Sequence, residues 1–251
     1  MKNTRQTKLL VIIALVLALI GMSLGFAAFS STLSISSSAS VTPNNNDFKI
    51  KIYGYTEQNA NNMYNINAYT SESLGYGIDA NTGNALNTAA LINNTNLTIT
   101  GIDVQMTQPS DIYVFPFLIK NVGQYDAYFN LSQIIDSTPL SCNAESGTTE
   151  SLVSSACESI IQLLGIMTKT GMEIQLKFQN NQITEDEYLI LSEEHQYTSG
   201  ATGTIKLEPD KSLLLLIGID YSRDANRADG PFSVTFEDIK LEFTTTPPNQ
   251  E

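Results

Sequence analysis

SLLLLIGID, residues Ser212–Asp220, combines five consecutive aliphatic residues with a turn signal immediately before it. A short apolar run bounded by turn residues is typical of a core β-strand. The turn is Glu208-Pro209-Asp210-Lys211, and Gly203–Leu207 before it alternates as a second strand. Phe232–Phe243 alternates as a third strand, with one register shift at Glu237-Asp238. The C-terminal part of the chain therefore predicts successive β-strands.

The same patterns continue toward the N-terminus and predict an all-β domain. The further strands are Phe48–Tyr53, Leu97–Met106 with a bulge at Gly101, Tyr113–Ile119, Ala127–Leu131 and Met172–Phe178. Pro116 lies inside Tyr113–Ile119 and predicts an edge strand or a bulge there, because proline cannot donate to a sheet ladder. About eight or nine strands separated by turns predict a jelly-roll-like β-sandwich. We place this domain at residues 44–244, followed by a tail at 245–251.

Helices are expected in one insertion, at about residues 142–196. Apolar residues recur at helical spacing over Glu150–Thr168, with Gly171 just beyond. Thr184 and Glu187 form a capping-box signature for a helix over Glu185–Ser192. Residues 54–96 lack a clear period and are expected to form long loops, with a short helix near Ala85–Ile92.

The first 28 residues have the three parts of a secretory signal. Lys2, Arg5 and Lys8 precede the unbroken apolar run Leu9–Leu19, and Ile20–Phe29 is apolar, small and glycine-rich. This segment is also long enough to span a bilayer as a retained transmembrane helix, so a signal peptide cleaved near Phe29 and a membrane anchor both remain open. In either case the positive residues stay on the cytoplasmic side. We therefore expect an extracellular or cell-surface protein.

Residues 29–43 follow this segment and include an alternating strand. Small polar residues alternate with an apolar face made of Phe29, Leu33, Ile35, Ala39 and Val41. Pro43 and the asparagines after it end the strand.

The charge of the chain limits its partners. The formal net charge is −13, and removal of the three positive residues among the first 28 changes it to −13 − 3 = −16. Such a chain is not expected to bind nucleic acid or anionic lipid by electrostatic attraction. The acidic surface serves either solubility or divalent-cation binding by acidic loops.

Two cysteines, Cys142 and Cys157, are present. In an oxidising compartment they would form a disulfide, and in a reducing one they would be free thiols. The disulfide would stabilise the fold by ~3 kcal/mol in the chain-entropy model.

Residues suited to catalysis are few, and no enzyme is predicted. His195 is the single histidine, so a zinc motif with two histidines cannot form, and no nucleophile elbow presents a serine. The string DYSRDANRADGP offers oxygen ligands that resemble those of a calcium loop. These candidate ligands are Asp220, Asp224, Asn226 and Asp229. Two arginines within the string favour the alternative, a long hairpin connection.

Four segments of the chain carry a family resemblance. They are GFAAFSSTLSI at 25–35, FPFLIKNVGQYDAYFNLS at 115–132, GTIKLEPDKSLLLLIGIDY at 203–221 and ADGPFSVTFEDIKLEFT at 228–244. Together they resemble the TasA/camelysin-like proteins, secreted subunits of biofilm matrix and cell-surface fibres. The segment 142–196 lies outside the resemblance. The peptidase activity associated with the family is not expected, since metal-ligand spacing is missing here.

The resemblance implies a fibre assembled from identical subunits. Signal peptidase would free the N-terminal strand, which would then pair with the sheet of the next subunit, and cell-wall or matrix components would be further partners. Two alternatives remain for this strand: pairing within its own domain, or serving as a stalk behind an uncleaved anchor. The competing function is a membrane-tethered monomeric module that binds glycan or a divalent cation.

Overall fold

The computed structural model describes residues 47–57, 62–130, 140–192, 196–198, 204–221 and 226–247, all within one compact unit. The expected signal or anchor at 1–28, the strand at 29–43, Asp224, His195 and most of the C-terminal tail lie outside these residues. Within the described ranges, no helix is both long enough and apolar enough to cross a membrane.

Strands dominate the described chain. They are β1 Ile50–Tyr55, β2 Tyr69–Ser71, β3 Leu74–Asp79, β4 Asn84–Asn93, β5 Thr98–Thr100, β6 Asp103–Met106, β7 Ile112–Asn121, β8 Ala127–Asn130, β9 Leu140–Ala144, β10 Ile160–Thr168, β11 Gln196–Thr198, β12 Thr204–Leu207, β13 Ser212–Tyr221, β14 Phe232–Phe236, β15 Ile239–Lys240 and β16 Phe243–Thr244. The helices are α1 Glu150–Cys157, α2 Lys169–Gln179 and α3 Glu185–Ser192, with a 3-10 turn at Ile66–Ala68.

The strands form three sheets in which the described pairs are antiparallel. The large sheet has the order β11-β10-β13-β7-β3-β4-β5-β15, and β1 pairs with β7 beside β3. Two three-stranded sheets have the orders β12-β8-β16 and β6-β14-β9. The expectation of a mostly β protein is therefore confirmed.

The main core lies between the large sheet and the two small ones. Odd-numbered residues of β7 and β13 point to this side, and Phe117 and Leu215 among them are fully buried. Phe129 and Val234 of the small sheets pack in the same cluster, as does Val153 of α1. A second cluster covers part of the opposite face of the large sheet. Its buried members are Tyr55, Ala68, Tyr69, Ile78, Leu118, Met167, Met172 and Leu214.

Several predicted elements are confirmed. The apolar run of β13 pairs along nearly its whole length with β10 on one side and β7 on the other. The capping box of α3 forms as expected, because Thr184 Oγ1 accepts from the Glu187 amide at 3.3 Å and donates to Glu187 Oε2 at 3.0 Å. The alternation of the last strands breaks between Phe236 and Ile239, as the register shift predicted.

The predicted helix over Glu150–Thr168 is wrong in its second half. The helix α1 ends at Cys157, and Ile160–Thr168 is strand β10, which pairs with nine residues of β13. This segment is rich in isoleucine and satisfies its backbone against the most apolar strand of the sheet, so tertiary pairing overrides its helical spacing. Residues 142–196 are consequently not a purely helical insertion, since they supply a strand of the large sheet.

The predicted strand Met172–Phe178 is helix α2. Thr168 caps it, with its Oγ1 accepting from the Gly171 amide at 3.1 Å, and Met172 and Ile174 are buried. The alternating sequence MEIQLKF contains several strong helix formers, and this helix propensity prevails over the period-two pattern.

The loops expected over residues 54–96 are mainly the hairpin of β3 and β4, and the short helix expected near Ala85–Ile92 is part of β4. The turn between them is held by Asp79 Oδ1, which accepts from the Asn81 amide at 2.8 Å. Gly83 in this turn has a φ of 72°, a conformation that glycine adopts readily. The many small and polar residues of the hairpin obscure its alternation.

Pro116 lies in a central strand rather than at an edge. The Asn121 amide donates to Lys211 in the turn before β13, so odd-numbered amides of β7 face β13 and the nitrogen of Pro116 faces the other side. On that side the pairing of β1 with β7 ends at Gly54, opposite Phe117, and β3 begins to pair with β7 at Val114. The missing N–H of Pro116 therefore falls at the junction between two partner strands. The bulge expected at Gly101 is instead a break between β5 and β6, which belong to different sheets.

Candidate assembly interface

Within the described residues, the outer edge of β10 is paired over less than half of its length. β13 covers one side of all nine residues, but β11 pairs on the other side only with Gly165–Met167. Among the described residues, no strand pairs with the outer side of Ile160–Leu164. An edge of this kind presents backbone groups to which another strand can bind.

The register defines which backbone groups face outward. The Tyr221 amide donates to Asp111 beside β7, so odd-numbered residues of β13 bond toward β7 and even-numbered ones toward β10. Because odd-numbered residues of β10 lie opposite even-numbered ones of β13, the even-numbered residues of β10 bond outward. Ile160, Gln162 and Leu164 therefore direct their N–H and C=O groups to the open edge.

The side chains next to this edge are unusually apolar for a surface. Ile161 is 47 % exposed and Leu163 is 37 % exposed, both on the face of the large sheet away from the main core. Helix α2 and the second cluster cover the same face at Met167 but do not bury these two residues. The edge therefore offers backbone bonding groups and apolar contact area together.

A second edge of the large sheet is closed by a side chain. Asn94 Oδ1 accepts from the Ile52 amide at 2.6 Å, and Asn94 Nδ2 donates to the Ile52 carbonyl at 3.0 Å. The same Nδ2 donates to the Glu72 carbonyl at 3.0 Å. The side-chain amide thus occupies the backbone positions on β1 that a neighbouring strand would use.

The disulfide and helix α1 lie beside another edge strand, β9. Cys142 of β9 and Cys157 at the end of α1 are linked, with Cα atoms 6.0 Å apart, so the predicted disulfide is confirmed. Asp229 fixes the start of α1, because the Thr149 amide and hydroxyl donate to its two carboxylate oxygens at 2.8 and 2.6 Å. The hydrogen bond from the Thr149 hydroxyl has the larger effect, and together with the one from the Thr149 amide it lowers the pKa of Asp229.

The candidate cation ligands are distributed differently from a calcium loop. Asp220 belongs to β13, Asn226 donates through Nδ2 to Ser155 Oγ at 2.8 Å, and Asp229 binds Thr149. Among the described residues, no group of three or more His, Cys, Asp or Glu side chains could hold a metal ion. Asp224 lies outside the described residues, as do His195 and the five apolar residues of the N-terminal strand.

The sequence did not reveal the residues of the β10 edge. The helical spacing of the sequence predicts a helix there, on which Ile161, Gln162 and Leu163 would occupy different faces. Asn94 carries no signal that distinguishes it from the other asparagines in this part of the chain. The one available indication was the isoleucine-rich composition of Ile160–Thr168, which favours a strand.

No family model, curated protein or solved structure matches this chain. The class that the described residues define is a mostly antiparallel β domain with one disulfide and an apolar sheet edge on β10 that no described strand covers at Ile160–Leu164.

Proposed function

We propose that this protein is an extracellular structural subunit of a cell-surface fibre or biofilm matrix, in which the N-terminal strand of one subunit adds to the β10 edge of the next. The observation that carries the proposal is the outward-facing backbone of Ile160–Leu164 beside the exposed side chains of Ile161 and Leu163. Strand addition uses backbone bonds for affinity and alternate side chains for specificity.

The β10 edge and the N-terminal strand match each other in length and in chemistry. Five residues of β10 offer an edge of roughly 17 Å, and an extended segment such as Phe29–Val41 is more than long enough to follow it. Its apolar residues would lie beside Ile161 and Leu163, and its serines on the other face of the strand, beside Gln162. Burial of Leu33 or Ile35 in this way would contribute about 1.5–3 kcal/mol each.

We further infer that the domain is jelly-roll-like and that the chain belongs with the TasA/camelysin-like proteins. The order of the strands supports the first inference, because from β5 to β8 and again from β12 to β16 successive strands alternate between the large sheet and the small ones. Connections that cross from sheet to sheet are a property of jelly rolls. The four sequence segments described above support the second inference.

Substitution of Ile35 tests the proposal. Ile35→Asp would place an unpaired carboxylate against apolar side chains, a cost that one strand's contacts cannot offset. We expect a folded, soluble protein that no longer forms filaments in electron micrographs. Ser36→Asp, which adds the same charge on the hydroxyl face, is the matched control and should still assemble.

Two results would contradict the proposal. Filaments of Ile35→Asp indistinguishable from those of the parent would exclude the donor strand, and an unfolded variant would show that the strand belongs to its own domain. Sequencing of the mature N-terminus adds a second test, because an intact Met1 would indicate a membrane anchor and leave no free strand to donate.

A further inference from the structure

Helix α3 exposes an unusual combination of acidic and apolar residues. Glu185 and Asp186 are exposed in its first turn, and its last turn exposes Leu189, Ile190 and Leu191 at 59, 73 and 47 %. Consecutive exposed aliphatic residues of this size are typical of an interaction surface.

A cavity elsewhere on the domain is lined by three lysines and by one acidic residue, Glu208. It has a volume of about 270 Å³ and lies where the start of α2 meets β12 and the start of β13. Three of the nine lysines and arginines in the described residues line it, although the whole chain is strongly acidic. These are Lys169, Lys206 and Lys211. Leu207 and Leu213 add apolar surface to the same lining.

Some of this positive charge is already balanced within the chain. Lys206 Nζ lies 2.9 Å from Asp126 and 3.3 Å from Glu208, and Lys169 Nζ lies 3.8 Å from Glu173. Within the described residues, Lys211 takes part in no ion pair. Lys211 and the loosely paired Lys169 are therefore the side chains available to an external carboxylate.

The helix α3 of the same copy does not fill this cavity. It packs against the far end of α2, where the rings of Phe178 and Tyr188 stack with centroids 4.5 Å apart. Phe178 follows Lys169 by nine residues of α2, which separates this contact from Lys169 by roughly 14 Å along the helix. The acidic helix and the lysine-lined cavity thus lie at opposite ends of α2.

We propose that the lysine-lined cavity of one copy receives the acidic, apolar helix α3 of a second copy. The partner is another copy of this chain because the two surfaces are complementary in charge and each includes apolar side chains. Since the contact joins different surfaces of the two copies, it repeats head to tail and does not close into a two-fold dimer. It is separate from the β10 edge and supplies a second kind of contact between subunits.

Charge reversal tests this contact. The cavity variant carries Lys169→Glu and Lys211→Glu, and the helix variant carries Glu185→Lys and Asp186→Lys, both in the full chain with Ile35→Asp so that strand addition does not contribute. In sedimentation velocity at low salt, the Ile35→Asp parent should self-associate and each variant should associate at least tenfold more weakly. Added salt should weaken the self-association of the Ile35→Asp parent, because exposed charges are screened.

Mixing gives the decisive comparison. The cavity variant has two acidic surfaces and the helix variant has two basic ones, so an equimolar mixture should recover association to within about threefold of the parent. Lys240→Glu, a single charge reversal on another surface, is the control and should have no comparable effect. If a reversed variant does not fold, the neutral pair Lys169→Gln and Lys211→Gln takes its place in the comparison with the parent.

The outcomes separate this inference from the proposed function. The helix-to-cavity contact is wrong if the mixture associates no more strongly than either variant alone. It is also wrong if the parent stays monomeric at low salt. Neither result affects strand addition. Because an open head-to-tail contact can itself form filaments, strand addition is judged in the cavity variant, which carries Ile35→Asp as well. Filaments that persist there would overturn strand addition, and the mixing experiment would still decide the helix-to-cavity contact.

Discussion

Replacement of Gln162 by proline should block assembly without unfolding the subunit. The amide of Gln162 points to the open edge of β10, so the substitution removes no backbone hydrogen bond of the β10–β13 ladder. Proline is tolerated in edge strands for this reason. The ring would occupy the space where a neighbouring strand has to approach.

The size of the effect follows from the bonds that the edge offers. An added strand can bond with Ile160, Gln162 and Leu164, and each such hydrogen bond contributes about 1 kcal/mol net. Loss of the Gln162 donor removes one of these bonds and leaves a carbonyl of the incoming strand unpaired, at a total cost of about 1–3 kcal/mol. Association should therefore weaken roughly 5- to 150-fold, before any steric effect of the ring.

The assay is the critical concentration for filament formation, measured by light scattering and checked by electron microscopy. Gln162→Ala is the control, because it keeps the N–H and should assemble like the parent. Leu163→Pro marks the opposite case, since its amide bonds toward Gly218 in β13 and its loss should destabilise the fold itself. If Gln162→Pro forms filaments at the same concentration as the parent, β10 is not the acceptor edge.

Three further predictions concern the fold. Asn121→Asp should lower the free energy of unfolding by about 3 kcal/mol or more, because the fully buried amide donates to two backbone carbonyls at 2.8 and 2.9 Å and a carboxylate cannot. Chemical denaturation measures this free energy, and a loss below about 1 kcal/mol would contradict the prediction. Replacement of both Cys142 and Cys157 by serine should cost ~3 kcal/mol for a loop closed by a separation of 15 residues, measured in the same way, and an unchanged midpoint would show that the disulfide does not stabilise the domain. Asp229→Asn should lower the melting temperature above about pH 4, and the difference from the parent should shrink at lower pH, because the folded-state pKa of Asp229 is depressed and its contribution is lost as the carboxylate is protonated. A difference that is independent of pH would show that the Thr149 contacts do not require the charged carboxylate.

Local sequence patterns predicted correctly the elements that are stabilised by contacts within a few residues and the strands that are buried on both faces. The capping box of α3 is encoded within four residues, and the apolar run of β13 remains apolar whichever strands pair with it. Residues 150–178 could not be predicted in this way. There the helical spacing of Ile160–Thr168 and the alternation of Met172–Phe178 both indicate the wrong element, because pairing with β13 and packing on the sheet outweigh preferences of a few tenths of a kcal/mol per residue.

The same misassignment concealed the candidate site. On one face of a helix, Leu163 and Leu164 would be buried together. In a strand they point to opposite faces, so Leu163 remains 37 % exposed while Leu164 is 6 % exposed. The edge itself depends on which strands are neighbours in space, and local sequence does not contain that information. Only the donor half of the proposed contact, Phe29–Val41, has a pattern that is visible in the sequence.

The treatment of the other edges favours a function for the β10 edge. Natural proteins cover, charge or interrupt sheet edges because an open edge recruits other chains. In this domain Asn94 bonds both backbone groups of Ile52 on β1, and α1 lies beside β9 with a disulfide between them. Neither device protects Ile160–Leu164 in the described structure, and the exposed side chains there are isoleucine and leucine, not lysine or glutamate. Among the described residues, an edge that lacks both kinds of protection and carries exposed aliphatic side chains is the kind of edge expected to bind a strand.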